Sequence, residues 1–290
     1  MPNAYNFAYY DLIGGRKSQT PDMLFRNWIG TEEQVVILSP HDDDALLGAG
    51  YLILACLQNQ AEVTVLICCD GRAGYSTPGD KARIVDIRRK EAEAAYACLG
   101  LSADRLVRLD FPDFSLAAHR GWILPGQQEG TLPVFLRTLR KLRATRLLVP
   151  NGYREHPDHT AAWYIGTEDG PQVGDPVLVD EDPEQAEIKP IRTYLQYSVW
   201  GDFSPEDALI MATDPRRLRA NLAIVADREV EEKVAEAIAC FRSQEKIIEG
   251  LVAQRRGRFF EGRVLELYLW YDPRRQLRYQ PYHTKIREIG

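Results

Sequence analysis

The stretch VVILSPHDDDALLGAG, residues 35–50, decides the fold because a strand signal, a polar cluster and a helix signal follow one another within it. Residues 34–38 form a short apolar, β-branched run, which is typical of a buried strand. Residues 45–60 have the length and composition of a buried helix. Between them lie His41 and three consecutive aspartates, which would be costly to bury without compensation. A bound metal ion would provide that compensation.

Strand and helix signals alternate from residue 34 to residue 150. Further strands are predicted at 62–69, 105–111 and 145–150, and further helices at 80–101 and 131–144. This alternation predicts an α/β fold, in which a Rossmann-like parallel sheet carries helices on both faces. C-terminal α/β additions are expected to follow that core.

The pattern loosens after residue 165. Residues 166–190 are acidic and rich in proline and glycine, so we predict a surface insertion or loop there. The pattern then predicts a strand at 193–200, one charged amphipathic helix at 227–250 and a late strand at 263–271. We expect a single domain over residues 1–290, with a core at about 34–165 and a C-terminal portion at 166–290.

The composition argues against several classes of function. The chain has 45% hydrophobic and 27% charged residues, as soluble globular proteins do, and its 36 basic and 42 acidic residues give a net charge of −6. This acidity disfavours a nucleic-acid partner. The longest apolar run, 45–57, is too short to span a membrane. No signal peptide is evident, and five cysteines lie in apolar segments, so we expect a cytoplasmic protein with reduced thiols. A homo-oligomer is left open.

Two polar clusters follow predicted strands of the same sheet. SPHDDD, at 39–44, follows the strand at 34–38, and PNGYREHPDHTA, at 150–161, follows the strand at 145–150. In parallel α/β sheets, ligand sites lie beyond the carboxyl ends of the strands, and the first and fourth strands of such a unit are often neighbours. We therefore expect both clusters to face one crevice.

Both clusters contain metal-ligand residue types at a spacing of three. His41 and Asp44 share this spacing in the first cluster, as do His156 and His159 in the second. Two imidazoles and a carboxylate with open positions form a metal site that can hold water, and one cluster would supply a histidine and an aspartate and the other a histidine. The remaining histidine of the second cluster could stabilise an oxyanion or protonate a leaving group. The candidates for a general base are Asp42 and Asp43.

These clusters carry a family likeness. SPHDDDALLGAG, at 39–50, resembles the (A/S)-H-P-D-D-x-x-x-G signature of the LmbE/PIG-L family of metal-dependent N-acetylglucosaminyl deacetylases, and HPDHTAA, at 156–162, resembles its H-P-D-H signature. Weaker similarities are carried by the segments 68–74, 88–101 and 233–244. The likeness runs in consistent order from about residue 34 to residue 245.

The resemblance implies a role for each matching residue. The positions that match its metal ligands are His41, Asp44 and His159. It implies one divalent cation, Zn²⁺ with Fe²⁺ as the alternative. Asp43 matches the general base, His156 the residue that polarises or protonates in the tetrahedral step, and Asp158 a carboxylate that orients a neighbouring imidazole. Arg88 resembles a substrate-contacting arginine, although an exposed helix pair with Glu91 is an equal alternative.

One position departs from the family pattern. Asp42 stands where the family has proline, and we expect its side chain to point to solvent or to cap the helix. The implied activity is the removal of an N-acetyl group from an amino sugar or sugar conjugate through metal-activated water. The alternatives are an amidase on another small amide, a non-haem Fe(II) oxygenase and a non-catalytic metal- or sugar-binding module.

Overall fold

A mixed β-sheet organises the computed structural model, which describes residues 4–179 and 188–289. The strands in these residues are β1 (Phe7–Asp11), β2 (Arg16–Ser18), β3 (Gln34–Ser39), β4 (Glu62–Cys69), β5 (Leu106–Phe111), β6 (Ile123–Leu124), β7 (Gln128–Glu129), β8 (Arg146–Pro150), β9 (Thr193–Tyr197), β10 (Leu222–Asp227), β11 (Phe259–Phe260) and β12 (Arg263–Tyr271). The strand order is β2-β1-β10-β12-β9-β8-β3-β4-β5, β11 pairs with β12, and β6 and β7 form a separate hairpin.

Helices cover both faces of this sheet. The α-helices are α1 (Asp44–Gln58), α2 (Ile84–Cys98), α3 (Thr131–Lys141), α4 (Pro157–Tyr164), α5 (Pro205–Ile210), α6 (Arg228–Ile238), α7 (Glu245–Gln254) and α8 (Gln280–Ile289). Within residues 4–179 and 188–289, none of them has both the length and the apolar character that crossing a bilayer requires.

The predicted parallel sheet with helices on both faces is confirmed. β5, β4, β3, β8 and β9 are parallel neighbours, and Ile37 of β3 aligns with Val65 of β4 and Leu148 of β8. Val35 and Ile37 of β3 lie in the core that contains α1, α2 and α6, whereas Val36 and Leu38 lie in the core that contains α3 and α4. Successive side chains of β3 enter opposite cores, so every position of the strand has to be apolar, and the strand appears in the sequence as an unbroken apolar run.

The other half of the sheet is antiparallel. β12 pairs with β9, β10 with β12, and β1 with β10, all in antiparallel register. The sequence pattern missed β1 and β10. It also predicted one helix at 227–250, but the structure has α6 and α7, which are separated by a 3₁₀ turn at Arg242–Gln244. The turn buries Gln244 against α2 instead of continuing the solvent-facing helix.

The prediction of a surface loop at 166–190 is wrong for its first part. Residues Ile165–Asp169 form a π-helical turn, and Gly170–Gly174 form a 3₁₀ turn. The glycines that suggested a loop allow this segment to approach β8 closely, since a Cβ on Gly166 would lie 2.1 Å from Val149 Cγ1. Residues 180–187 of the predicted loop lie outside the described residues.

Candidate active site

The two polar clusters meet at one edge of the sheet. Because β3 and β8 are parallel neighbours, the segments after their carboxyl ends lie side by side. Ring centroids of His41 and His159 are 5.6 Å apart, and those of His41 and His156 are 4.7 Å apart. The expectation that the two clusters lie close together is therefore confirmed.

His41, Asp44 and His159 converge on one point. Asp44 Oδ2 lies 3.0 Å from His41 Nδ1 and 3.0 Å from His159 Nε2. Two ligands of one tetrahedral zinc ion, each at about 2.1 Å, are separated by about 3.4 Å, so these atoms are spaced suitably. His159 Nε2 is also buried without a hydrogen-bond partner of acceptable geometry among the described residues. The donor set and the unpartnered nitrogen both fit a divalent cation.

A second group of potential ligand atoms shares His41. His41, His156 and Asp158 also have one such atom each within 4.8 Å of the others. However, Asp158 already accepts hydrogen bonds from the backbone N–H groups of Phe114 and Leu116, at 2.7 and 3.1 Å. His156 Nδ1 in turn accepts from the Asp158 N–H. The first group is therefore the better fit for a cation.

The charges around these imidazoles shift their protonation strongly. Burial lowers the pKa of His159, but Asp44 and Glu155 outweigh it and raise the pKa to about 9. Burial likewise opposes protonation of His41, yet its hydrogen bonds to Asp113, Asp158 and Asp44 hold its pKa well above the usual value. The site is thus arranged to hold positive charge.

Asp43 lies beside these groups in a different environment. Its side chain is nearly buried, and its Oδ1 is 3.5 Å from Arg88 Nη2. Burial raises the pKa of Asp43, the Arg88 guanidinium opposes that rise, and the charge of Asp44 adds to it. A carboxylate with a raised pKa is a suitable proton acceptor, so the role predicted for Asp43 remains chemically reasonable.

The expectation for Asp42 is wrong. Its side chain is fully buried, with Oδ2 2.9 Å from Arg88 Nε and Oδ1 2.5 Å from Arg108 Nη2. Two guanidinium groups therefore supply the compensation that a buried carboxylate needs. Tyr96 also donates its hydroxyl hydrogen to the Asp42 carbonyl.

Arg88 is a buried residue of this cluster. The alternative of an exposed helix pair with Glu91 is wrong, because Glu91 accepts hydrogen bonds from Ser243 instead. Arg88 Nη1 donates to Gln244 Oε1 at 2.5 Å. Gly74 leaves room for the guanidinium, since a Cβ there would lie 2.3 Å from Arg88 Nη1. Contact between Arg88 and a substrate stays a prediction.

Asp158 lies closer to a different imidazole than to its sequence neighbour. Asp158 Oδ2 is 3.4 Å from His41 Nε2 and 3.8 Å from His156 Nδ1. His156 is the N-cap of α4, and burial and the charge of His41 lower its pKa. A neutral, partly exposed imidazole can donate a hydrogen bond or accept a proton.

Sequence reasoning missed two carboxylates, Asp113 and Glu155. Asp113 Oδ1 lies 3.0 Å from His41 Nε2. It follows β5, so its place at a third strand end of the same edge was a usable signal. Glu155 Oε2 lies 2.7 Å from His159 Nδ1, and its Oε1 accepts from backbone N–H groups of residues 199–201. Because these donors are backbone N–H groups, no residue type in the sequence marks them.

Comparison with known proteins finds one family model that matches part of the chain. The model of the PIG-L family, described as GlcNAc-PI de-N-acetylase, matches residues 36–168. The resemblance to the PIG-L family is confirmed. The matched range includes both polar clusters and none of the antiparallel strands β1, β2, β10 and β12.

The chain is similar in sequence to a curated deacetylase. Diacetylchitobiose deacetylase of Thermococcus kodakarensis is 28% identical over 139 residues, which are 47% of this chain and 48% of that protein. The alignment thus spans about half the length of this relative.

Solved structures share the fold. The N,N'-diacetylchitobiose deacetylase of Pyrococcus horikoshii superposes with a TM-score of 0.62 at 20% identity, covering 82% of this chain and 84% of that one. GalB of Pseudomonas putida, a 4-carboxy-2-hydroxymuconate hydratase, gives 0.58 at 19%, covering 84% and 98%. The fold is therefore shared by proteins that are named for two different reactions.

Proposed function

We propose that this chain is a metal-dependent N-deacetylase that hydrolyses the acetyl amide of an amino sugar or sugar conjugate. The observation that carries the proposal is the convergence of His41, Asp44 and His159 on one point with Asp43 beside them. The similarity to a diacetylchitobiose deacetylase supports amide hydrolysis over hydration, since the fold alone does not distinguish them.

The ligand set suits zinc, with iron as the alternative. His41, Asp44 and His159 would hold the cation, which when bound would polarise a carbonyl oxygen and lower the pKa of a water molecule. The imidazoles are preoriented for this task because carboxylates engage their other nitrogens: Asp113 contacts His41 Nε2, and Glu155 contacts His159 Nδ1.

Two residues would transfer protons in the reaction. Asp43 accepts the proton of the attacking water, so that the oxygen can add to the acetyl carbonyl carbon. His156 donates a hydrogen bond to the developing oxyanion, or relays to the departing nitrogen the proton that Asp43 has taken from the water, as the C–N bond breaks. The products are acetate and a free amine. Arg88, which pairs with Asp42 and approaches Asp43, would hold the base in place.

The test is an acetate-release assay over a panel of N-acetylated sugars and sugar conjugates, with and without a chelator. We expect release that the chelator abolishes and that added Zn²⁺ or Fe²⁺ restores. Asp43→Asn should lower kcat by at least about a hundredfold while the metal stays bound, because only the proton acceptor is lost. His159→Ala should lose the metal.

Three outcomes would contradict this proposal. Acetate release by the metal-free protein would show that the reaction does not require the cation. Full activity of Asp43→Asn would show that Asp43 is not the general base. Turnover of an unsaturated carboxylic acid by addition of water, without acetate release from any amide, would favour a hydratase.

A further inference from the structure

We propose that Phe114 and Trp200 form two aromatic walls of a subsite that binds the apolar face of a pyranose ring beside the amide to be cleaved. The inference rests on the proposed function and adds the residues that would recognise the sugar. Neither residue belongs to the predicted metal and proton-transfer set.

The two side chains flank the histidines of α4. The Phe114 ring lies 4.3 Å from the His156 ring, and the Trp200 ring lies 4.8 Å from the His159 ring. His156 and His159 are themselves 5.9 Å apart. The contacts thus run from Phe114 to His156, from His156 to His159 and from His159 to Trp200.

Both end residues remain exposed. Phe114 is 61% and Trp200 is 37% accessible to solvent, although each belongs to a residue type that proteins generally bury in large part. Large exposed apolar rings that border a polar crevice are typical of ligand-binding surfaces. Their rings therefore have surface available for a ligand that enters the crevice.

Phe114 is held in place at a conformational cost. Its φ is +60°, a left-handed conformation that is a real outlier for a bulky side chain. The Phe114 N–H donates to Asp158 Oδ2 at 2.7 Å, and Asp158 also approaches His41. Backbone strain of this kind persists where surrounding contacts enforce it, and it clusters at functional sites.

Trp200 is fixed by a similar arrangement on the other side. The backbone N–H of Trp200 donates to Glu155 Oε1 at 3.2 Å, and the backbone N–H of Gly201 donates to the same oxygen at 2.8 Å. The other oxygen of Glu155 contacts His159 Nδ1. Each wall is thus connected by one carboxylate to one of the predicted metal-binding imidazoles, which fixes its position relative to the reacting groups.

The chemistry of the crevice favours a pyranose over a flat aromatic ring. One face of a pyranose presents C–H groups that pack against an aromatic ring, while its hydroxyls are hydrogen-bond donors. Asp43 places carboxylate oxygens, which are acceptors, beside the same group of residues. An aromatic amide would stack on the walls but would offer no hydroxyl donors to those oxygens.

The experiment compares two acetamides that share the reacting group. N-acetylglucosamine has the ring, and N-acetylethanolamine is acyclic. With Trp200→Ala or Phe114→Ala, we expect KM for the sugar to rise about tenfold and its kcat to stay within about threefold. The kcat/KM for the acyclic amide should be unchanged. Trp200→Phe should keep most of the sugar affinity, since it retains an aromatic ring.

Trp122→Ala is the matched control, because Trp122 is a comparably exposed tryptophan in the segment that follows Phe114. It should leave both substrates unaffected. An equal loss on the two amides in Trp200→Ala would mean that the ring only positions His159, and it would overturn the subsite. An unchanged KM for the sugar would overturn it as well.

Calorimetric titration with N-acetylglucosamine separates this inference from the proposed function. Suppose that the wild-type protein releases no acetate but binds the sugar, and that Trp200→Ala weakens this binding about tenfold. The sugar subsite is then supported, and the deacetylase proposal is contradicted. If wild-type and Trp200→Ala bind the sugar equally, or neither binds it, the walls are overturned. Tighter binding of acetanilide than of the sugar would overturn the choice of a pyranose.

Discussion

At the scale of single residues, the site depends on carboxylates whose partners come from distant parts of the chain. Residue types at the two strand ends predicted the pool of metal-ligand candidates, and the family resemblance selected His41, Asp44 and His159 from it. The burial of Asp42 could not be predicted, since its compensation comes from Arg88 and Arg108, which lie on another helix and another strand. Charge compensation across elements leaves no local pattern in a single sequence.

Asp42→Asn should destabilise the fold. The substitution keeps the shape of the side chain but leaves the guanidinium groups of buried Arg88 and partly buried Arg108 without their shared carboxylate, at a cost of about 3 kcal/mol in the free energy of unfolding. Urea unfolding measures this. Asp110→Asn is the control, because Asp110 pairs with Arg89 on the surface and should change stability by less than about 1 kcal/mol. Equal effects of the two substitutions would show that the buried cluster is not specially stabilising.

Glu155→Gln should weaken metal binding. The amide nitrogen or oxygen replaces a carboxylate that is 2.7 Å from His159 Nδ1, so the imidazole becomes less basic and less well oriented. Loss of such a partner lowers metal affinity by about 10- to 100-fold. Competition with a chromogenic chelator measures the affinity directly, without reference to turnover. Glu168→Gln, an exposed glutamate that pairs with Arg120, serves as the control. Unaltered zinc affinity in Glu155→Gln would refute this role.

At the scale of secondary structure, prediction succeeded where apolar runs or periodicity were strong. β3 and β4 are buried on both faces and appeared as continuous apolar runs. The errors have specific physical causes. Gly166 and Gly170 resembled loop residues, but they permit close packing against β8. The helix predicted at 227–250 breaks because burial of Phe241 and Gln244 outweighs continuation of the helical period.

Asp169, in the π-helical turn, should make stability depend on pH. Burial raises its pKa from 3.8 to about 6, which the nearby Arg120 opposes. Between these values the folded state binds the proton more tightly than the unfolded state does, so stability falls as pH rises from about 4 to about 6. Above that window the full penalty remains.

Asp169→Asn should therefore raise the free energy of unfolding at pH 8 by about 1 kcal/mol, a figure reduced because the side chain is partly solvated. The gain should vanish near pH 4. Thermal unfolding of the variant across this range measures the effect, and Glu93→Gln, an exposed residue of α2, is the control. A gain that does not change with pH would argue against burial of the charge.

At the scale of the whole molecule, the parallel half of the sheet carries the ligand candidates, and segments later in the chain support them. The PIG-L match ends at residue 168, yet Glu155 is held by residues 198–201 and Arg88 by Gln244. The adjacency of β3 and β8 followed from general rules of α/β topology. The contribution of the later residues was not predictable, because much of it consists of backbone N–H groups.

The hydrogen bonds from residues 198–201 to Glu155 have a consequence for how the site can evolve. Three of its donors are main-chain amides of Val199, Trp200 and Gly201, and amides are present whatever the side chain. The side chain at position 200 can therefore change without removing these main-chain donors to Glu155. Libraries randomised at that position should yield altered substrate preferences in folded, metal-competent proteins, whereas proline there would remove a donor and should be selected against.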